Sequence, residues 1–158
     1  MTLKNTILAL FTTVLFISCS SDSSTDNLNP QENITITQEI HKLVNEYRAS
    51  KGKTTLEFND AAAKIALTHT DYMISINAIN HDKFSERFKE LQNLDNAISA
   101  AENVASRQKT ASELVQGWIN SDEHRKNIEG DYTHTGIGVK KSVGGHYFFT
   151  QIFYLKQN

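Results

Sequence analysis

The chain has one cysteine, no excess of positive charge, no apolar run long enough to span a bilayer and no internal repeat. With Cys19 alone, an intramolecular disulfide, a thiolate metal cluster and an internal cysteine nucleophile are all excluded. Sixteen Lys and Arg residues against 18 Asp and Glu give a formal charge of −2, which leaves no basic footprint for nucleic acid. The longest apolar run, Ile7 to Ile17, is broken only by Thr12 and Thr13. It falls short of the roughly 20 residues a membrane-spanning helix needs, and behind Lys4 it reads as the core of a signal peptide. No His-Glu-x-x-His sequence is present, so an ordinary zinc protease is excluded too.

The leader ends in Phe16-Ile17-Ser18-Cys19, which resembles the lipobox of bacterial lipoproteins, with Phe16 where leucine is usual. Residues 1–18 are therefore expected to be a lipoprotein signal peptide and Cys19 the lipid acceptor. The lipid would hold the protein outside the cytoplasm, on the membrane of a bacterial cell envelope, facing the periplasm or the cell surface. Residues 19–33 carry almost no apolar side chains and cannot offset the entropy of ordering, so they are read as a tether. Residues 34–158, roughly 125, make one domain of ordinary size.

Within that domain Ile40, Leu43, Val44 and Tyr47 fall on one face of a helix starting near Thr37 and ending at Gly52. Asn59 is a good N-cap for a second helix whose inner stripe is Ala62, Ile65, Ala66, His69, Tyr72, Met73 and Ile76. A short helix opens near Ser85, with Phe84, Phe88 and Leu91 on its apolar side. Thr110-Ala111-Ser112-Glu113 is a capping box, and it leads a third long helix that carries Leu114, Val115, Trp118 and Ile119 and has His124 near its end. The period then changes from 3.6 to 2. Ile137 and Val139, the Gly144-Gly145 pair and Tyr147 to Tyr154 predict a C-terminal β-hairpin. Its second strand is apolar on both faces, which requires helices on each side of the sheet. The expected architecture is α/β, a three-layer α/β/α sandwich around a small antiparallel sheet.

His81, Glu102 and His124 are polar groups where the pattern does not require them. What ties them together is a resemblance carried by Asn80-His81, Ala101-Glu102-Asn103-Val104-Ala105, the run from Trp118 through His124-Arg125-Lys126-Asn127-Ile128, Thr135-Gly136-Ile137-Gly138-Val139 and Tyr147 to Phe153. These segments resemble, in order, the bacterial branch of the CAP superfamily, the SCP-like group that includes cysteine-rich secretory proteins, antigen 5 and plant pathogenesis-related proteins. The resemblance covers about residues 37–155 and implies the α/β/α sandwich as well as a cleft of two histidines and two acidic residues, which in several animal members binds zinc or another divalent cation. His81, Glu102 and His124 match three of those positions. The fourth, an acid one turn after the tryptophan, falls on Ser121, and Ala101 replaces a common glycine.

Two neutral imidazoles with one carboxylate would leave a coordination position for water on a Zn2+ or other divalent ion, with His81 and His124 as the metal ligands. Without metal, Glu102 could orient either imidazole. Ser121 and His124, three apart, permit a serine–histidine hydrolase with Glu102 as orienter. Asn103 and Arg125 are expected to brace the Glu102 segment and the helix end, and His69 to be a buried histidine behind the cleft or a purely structural one. Trp118 and Tyr72 are expected in the core, and His41, His134 and His146 in exposed loops or strand ends. The reading adopted is an envelope binding module for a lipid, glycan or peptide. The alternatives are a metal-assisted or acid/base hydrolase and an interaction domain with a relict cleft, because fold does not imply function.

Overall fold

A computed structural model describes residues 30–157. The signal peptide, Cys19 and the tether up to residue 29 lie outside the described residues. The first helix, α1, spans Pro30–Ser50, so it begins seven residues before Thr37 and absorbs the last four residues of the segment read as a tether. A proline suits a helix's first turn, where its missing N–H would have had no partner. Ile40 and Val44 on its inner face are fully buried.

Asn59 caps α2 (Asp60–Ile76) as expected, its side chain accepting from the Ala62 N–H. Ala62, Ile65, Ala66, His69 and Met73 are buried along the stripe. Tyr72 and Ile76 are instead 39% and 44% exposed. An apolar stripe at spacings of three and four is wider than the surface the sheet can cover, and Thr70 takes the inward place beside them, bonding the Gly138 carbonyl and the Thr150 hydroxyl. The helix stops at Asn77, in the left-handed conformation. Next, α3 (Phe84–Asp95) buries Arg87 and Leu91.

Among the described residues four strands form one sheet in the order β1-β3-β4-β2, with β1 Glu57–Phe58, β2 Ala97–Ser106, β3 His134–Lys141 and β4 Tyr147–Lys156. The hairpin β3–β4 and the pair β2–β4 are antiparallel, whereas the two-residue β1 runs parallel to β3, so the sheet is mixed. Successive residues of a strand face opposite sides, and β4 shows the consequence. Tyr147, Phe149 and Phe153 pack with α1 and with α4 (Ala111–Asn120), while Ile152 and Tyr154 pack with α2 and α3. The layers are therefore α1 and α4 on one face, the sheet, and α2 and α3 on the other. The approach of α2 to the sheet is close enough to need glycine, since a Cβ on Gly136 or Gly138 would sit 2.2 Å or 2.4 Å from α2 backbone atoms.

The capping box at Thr110 forms, with the Thr110 hydroxyl accepting from the Glu113 N–H and the Glu113 carboxylate accepting from the Lys109 N–H. The helix it starts is not one long element. It breaks at Ser121, whose extended backbone (φ −96°, ψ 121°) separates α4 from α5 (Asp122–Glu129). His124 thus stands in the first turn of α5 rather than near the end of a longer helix. Trp118 is buried at 2% exposure, as its spacing required. Among the described residues no helix is long and apolar enough to cross a membrane.

Candidate functional site

Strand β2 is an edge strand, and the candidate residues gather along it. Glu102 opposes Ile152 in the ladder, so its side chain emerges on the α2–α3 face. Asn103 points to the other face, toward α5. The Glu102 side chain is buried to 2% exposure, and burying a carboxylate is costly unless it is paired. Arg87 supplies that pairing with a fork: its Nε donates to Oε2 and its Nη2 to Oε1, both at 2.7 Å. Bidentate guanidinium–carboxylate pairs combine charge with fixed geometry, so Glu102 is locked in place. The third guanidinium nitrogen, Nη1, donates to the Asp82 carbonyl at 2.6 Å, which ties the loop carrying His81 to the same pair.

His81 Nδ1 lies 2.8 Å from Glu102 Oε1. With the carboxylate as acceptor, Nδ1 carries the proton and the other ring nitrogen, Nε2, is left as a lone-pair donor. The ring is 54% exposed, so that nitrogen is open to solvent-borne ligands. His69, on α2, donates from Nε2 to the Asn80 carbonyl at 2.8 Å and lies 3.8 Å from the same Glu102 oxygen. Burial pushes its pKa below the ordinary 6.5, against the opposing pull of the Asn80 carbonyl and of Glu102, so it is neutral at pH 7. His69 therefore holds the Asn80–His81 turn against α2.

His124 is on the other side of the edge. Its Nδ1 is 2.9 Å from the Ser121 hydroxyl. Burial, and then the nearby His81, lower its pKa below 6.5. Asn103 Nδ2 donates to the His124 carbonyl at 3.1 Å, and Asn127 Nδ2 donates to the Asn103 side-chain oxygen at 2.9 Å and to the Glu102 carbonyl at 3.2 Å. These bonds fasten α5 to the edge of β2 and answer its free backbone carbonyl. Arg125 braces the α4–α5 break by donating to the Ile119 carbonyl and to Asp122.

The structure thus joins His81 to Glu102 and pairs Ser121 with His124. Among the described residues no hydrogen bond or ion pair links Glu102 to His124, so Glu102 orients His81 and is not the orienter of a Ser121–His124 pair. Both Glu102 oxygens are engaged by Arg87, which reduces the protein donors for a metal from three to two imidazoles. In keeping with this, no group of three or more His, Cys, Asp or Glu side chains is arranged to hold a metal among the described residues. The imidazoles of His81 and His124 are the donor type a divalent ion would use. Nδ1 of His81 is held by the Glu102 carboxylate, which fixes its tautomer, whereas Nδ1 of His124 meets a Ser121 hydroxyl that can donate or accept; Nε2 of each would be the coordinating atom.

Arg87 was not identified from the sequence, although it is the residue on which Glu102 depends. Two other readings also change. Tyr72 is outside the core, with its hydroxyl on Asp82 at 2.8 Å. His41 belongs to α1 and is half-buried, its Nε2 2.9 Å from the Leu56 carbonyl. His134 stands at a strand end, the first residue of β3, half-buried with its ring against Tyr154. His146 is exposed, as expected.

An α/β/α sandwich of this kind is the fold of a CAP domain, and the comparisons with known proteins agree. The chain belongs to the CAP, or cysteine-rich secretory protein, family, whose model matches residues 41–153. It is 30% identical over 126 residues to the uncharacterized membrane protein YlbC of Bacillus subtilis, covering 73% of this chain and 33% of that protein. It is also 30% identical over 109 residues to the uncharacterized protein YkwD of the same organism, covering 66% and 42%. The chain therefore spans less than half the length of these relatives. Among solved structures, an extracellular protein containing an SCP domain from Bacillus anthracis superposes with a TM-score of 0.70 at 27% identity, covering 82% of this chain and 44% of that one. An outer surface protein of Borrelia burgdorferi shares the fold, with a TM-score of 0.69 at 20% identity over 80% of this chain and 95% of that one.

Proposed function

We propose that the protein is an extracytoplasmic, lipid-anchored CAP-domain binding module of the bacterial cell envelope, and that His81 and His124 present their free Nε2 atoms to a ligand or divalent cation. The observation that carries this reading is the fork of Arg87 on Glu102. A carboxylate whose two oxygens each accept charge-assisted bonds serves to hold His81 rather than to shuttle protons, which favours binding over acid/base hydrolysis. An extracellular protein and an outer surface protein among the structural neighbours support the location. When bound, a divalent ion would supply a Lewis-acidic point to which an anionic or carbonyl group of the ligand could attach.

Calorimetric titration of the purified protein with zinc tests the cleft. We expect saturable binding at pH 7.5 that His81→Ala and His124→Ala each abolish. Glu102→Gln should weaken it by about 10- to 100-fold, the usual cost of losing such a partner. Because imidazole must be neutral to coordinate, and burial keeps His124 neutral below pH 6.5, affinity at that residue should persist into mildly acidic solution before it falls. Binding that survives both histidine substitutions would overturn the metal part of the reading. The anchor is tested separately by fractionating cells that express Cys19→Ser, which should release the protein from membranes or leave an uncleaved precursor. A variant that is cleaved normally and still sediments with membranes would refute lipidation at Cys19.

A further inference from the structure

His69 and Arg87 back the Glu102 pair and also line a separate cavity of about 310 Å³ between α2 and α3. None of His81, Glu102 and His124 lines it. Its wall is unusual in its hydrogen-bond inventory. The Thr68 hydroxyl already donates to the Lys64 carbonyl, the Tyr72 hydroxyl to Asp82 Oδ2, and His69 Nε2 to the Asn80 carbonyl. All three nitrogens of Arg87 are engaged by Glu102 and the Asp82 carbonyl. The acceptors, by contrast, are largely open. Glu90 has neither an ion pair nor a hydrogen bond among the described residues, and Asp82 Oδ1 is likewise unused. His69, whose side chain is only 2% exposed, keeps its second ring nitrogen, Nδ1, unpartnered. Since Nε2 donates to the Asn80 carbonyl, Nδ1 is left as the acceptor of this cavity-lining ring.

Charge points the same way. Asp82, Glu86 and Glu90 contribute three carboxylates against one cation of the lining, Lys83, which is 72% exposed and 3.9 Å from Glu86, while the Arg87 charge is neutralised by Glu102. The rest of the wall is the flank of Ile65 and the ring of Tyr72, which is 39% exposed and stacked on His69 at 5.9 Å. A pocket rich in acceptors, negative at its rim and bounded by an aromatic face selects a ligand rich in donors, positive, and apolar behind its charge.

We propose that the α2–α3 cavity binds an organic ammonium group carried on a short alkyl chain, with the ammonium donating to Glu90, Asp82 and His69 Nδ1 and the chain lying on Tyr72 and Ile65. A bare inorganic cation would make no use of the apolar flank, and a neutral alcohol would make no use of the carboxylates. This site is independent of the His81–His124 reading.

The test is an NMR titration of the protein with pentylamine, using 1-pentanol and calcium chloride as the neutral and inorganic arms. Amide shifts confined to α2, α3 and the Asp82 loop should saturate with pentylammonium and be absent with the other two. Glu90→Gln combined with Asp82→Asn, both on exposed side chains, should weaken binding by about three- to tenfold. Lys83→Gln, which removes the competing cation, should strengthen it. Pentanol binding as tightly as pentylamine would show an apolar cleft only, and calcium producing the same shifts would show a metal site; either overturns the proposal. So does an affinity that ignores the loss of Glu90, an exposed residue with no hydrogen bond or ion pair among the described residues, whose substitution leaves the fold intact.

Discussion

Arg48 and Arg87 are both buried, at 1% and 8% exposure, yet their charges are answered differently. Arg48 on α1 meets four main-chain carbonyls: Nε bonds Thr54 at 2.8 Å, Nη1 bonds Ile128 at 2.5 Å and Gly130 at 2.9 Å, and Nη2 bonds Tyr132 at 3.1 Å. It satisfies the loop after α1 and the turn after α5 with one side chain, and nothing about it is available to a ligand. Arg87 meets a carboxylate, and that carboxylate in turn holds a half-exposed imidazole. A buried cation answered by carbonyl dipoles staples loops together. The same cation answered by an ionisable partner leaves a charge pair that can position further groups, and it is around this second arginine that the candidate site is built.

The largest effect should come from Arg48→Met. It strands the Thr54, Ile128 and Tyr132 carbonyls, while that of Gly130 keeps its bond from the Tyr132 N–H, and each buried acceptor left unsatisfied costs about 1–3 kcal/mol. We expect a loss of more than about 3 kcal/mol in denaturant unfolding, a large part of the roughly 5–15 kcal/mol of a typical domain. A variant that unfolds like the wild type would break the comparison at its structural end.

Arg87→Met should cost about 3–5 kcal/mol by leaving the Glu102 carboxylate buried with the His81 bond and the more distant His69 as its remaining neighbours. The informative variant is the double one. With Glu102→Gln added there is no stranded charge, and most of the loss should be recovered. Urea unfolding of both variants decides the matter. Equal losses in single and double would mean that Arg87 acts through packing on Phe84, whose ring lies 5.8 Å from its guanidinium carbon, and not through charge.

The difference between the two arginines also explains what could and could not be read from the sequence. Elements set by periodicity and capping were legible: α2 from Asn59, α4 from the Thr110 box, and the β3–β4 hairpin from its change of period. Strand β2 was not, because Ala97 to Ser106 contains four alanines and few β-branched residues, and its strand character comes from pairing along β4 rather than from intrinsic preference. The break at Ser121 was hidden because helical spacing continues through it on both sides. Glu102 and His81 stood out as polar residues in unexpected places, whereas Arg87, in Ser85-Glu86-Arg87-Phe88, looks like an ordinary solvent-facing helix position. A buried charge in a polar stretch leaves no periodic signature, and Arg48, next to the exposed end of α1, was overlooked for the same reason.

The smallest effect we expect is on proton binding, and it distinguishes the two arginines without unfolding either. His69 has a folded pKa below its ordinary 6.5, through burial first, and it is raised by the Asn80 carbonyl and Glu102 and lowered again by Arg87 and His81. In the unfolded chain the imidazole takes up a proton as pH falls through about 6.5, while the folded protein still resists it. The unfolded state then binds more protons, so stability falls with decreasing pH from about 6.5 down to the folded pKa, below which this dependence ends. The slope from one such group cannot exceed about 1.4 kcal/mol per pH unit, and His124, shifted in the same direction, adds to it. His69→Gln, which keeps a donor for Asn80, should flatten the dependence between pH 7.5 and 5.5. Removing Arg87 takes away a lowering influence and leaves the raising one of Glu102, so in Arg87→Met the His69 ring should titrate nearer to its ordinary value. In Arg48→Met it should titrate as in the wild type, because no charge from that end of the molecule reaches it. Following the His69 ring protons by NMR across this range gives both values in the folded protein. A shift in Arg48→Met equal to that in Arg87→Met would show that the two buried cations are electrostatically one system and that the division drawn between them is wrong.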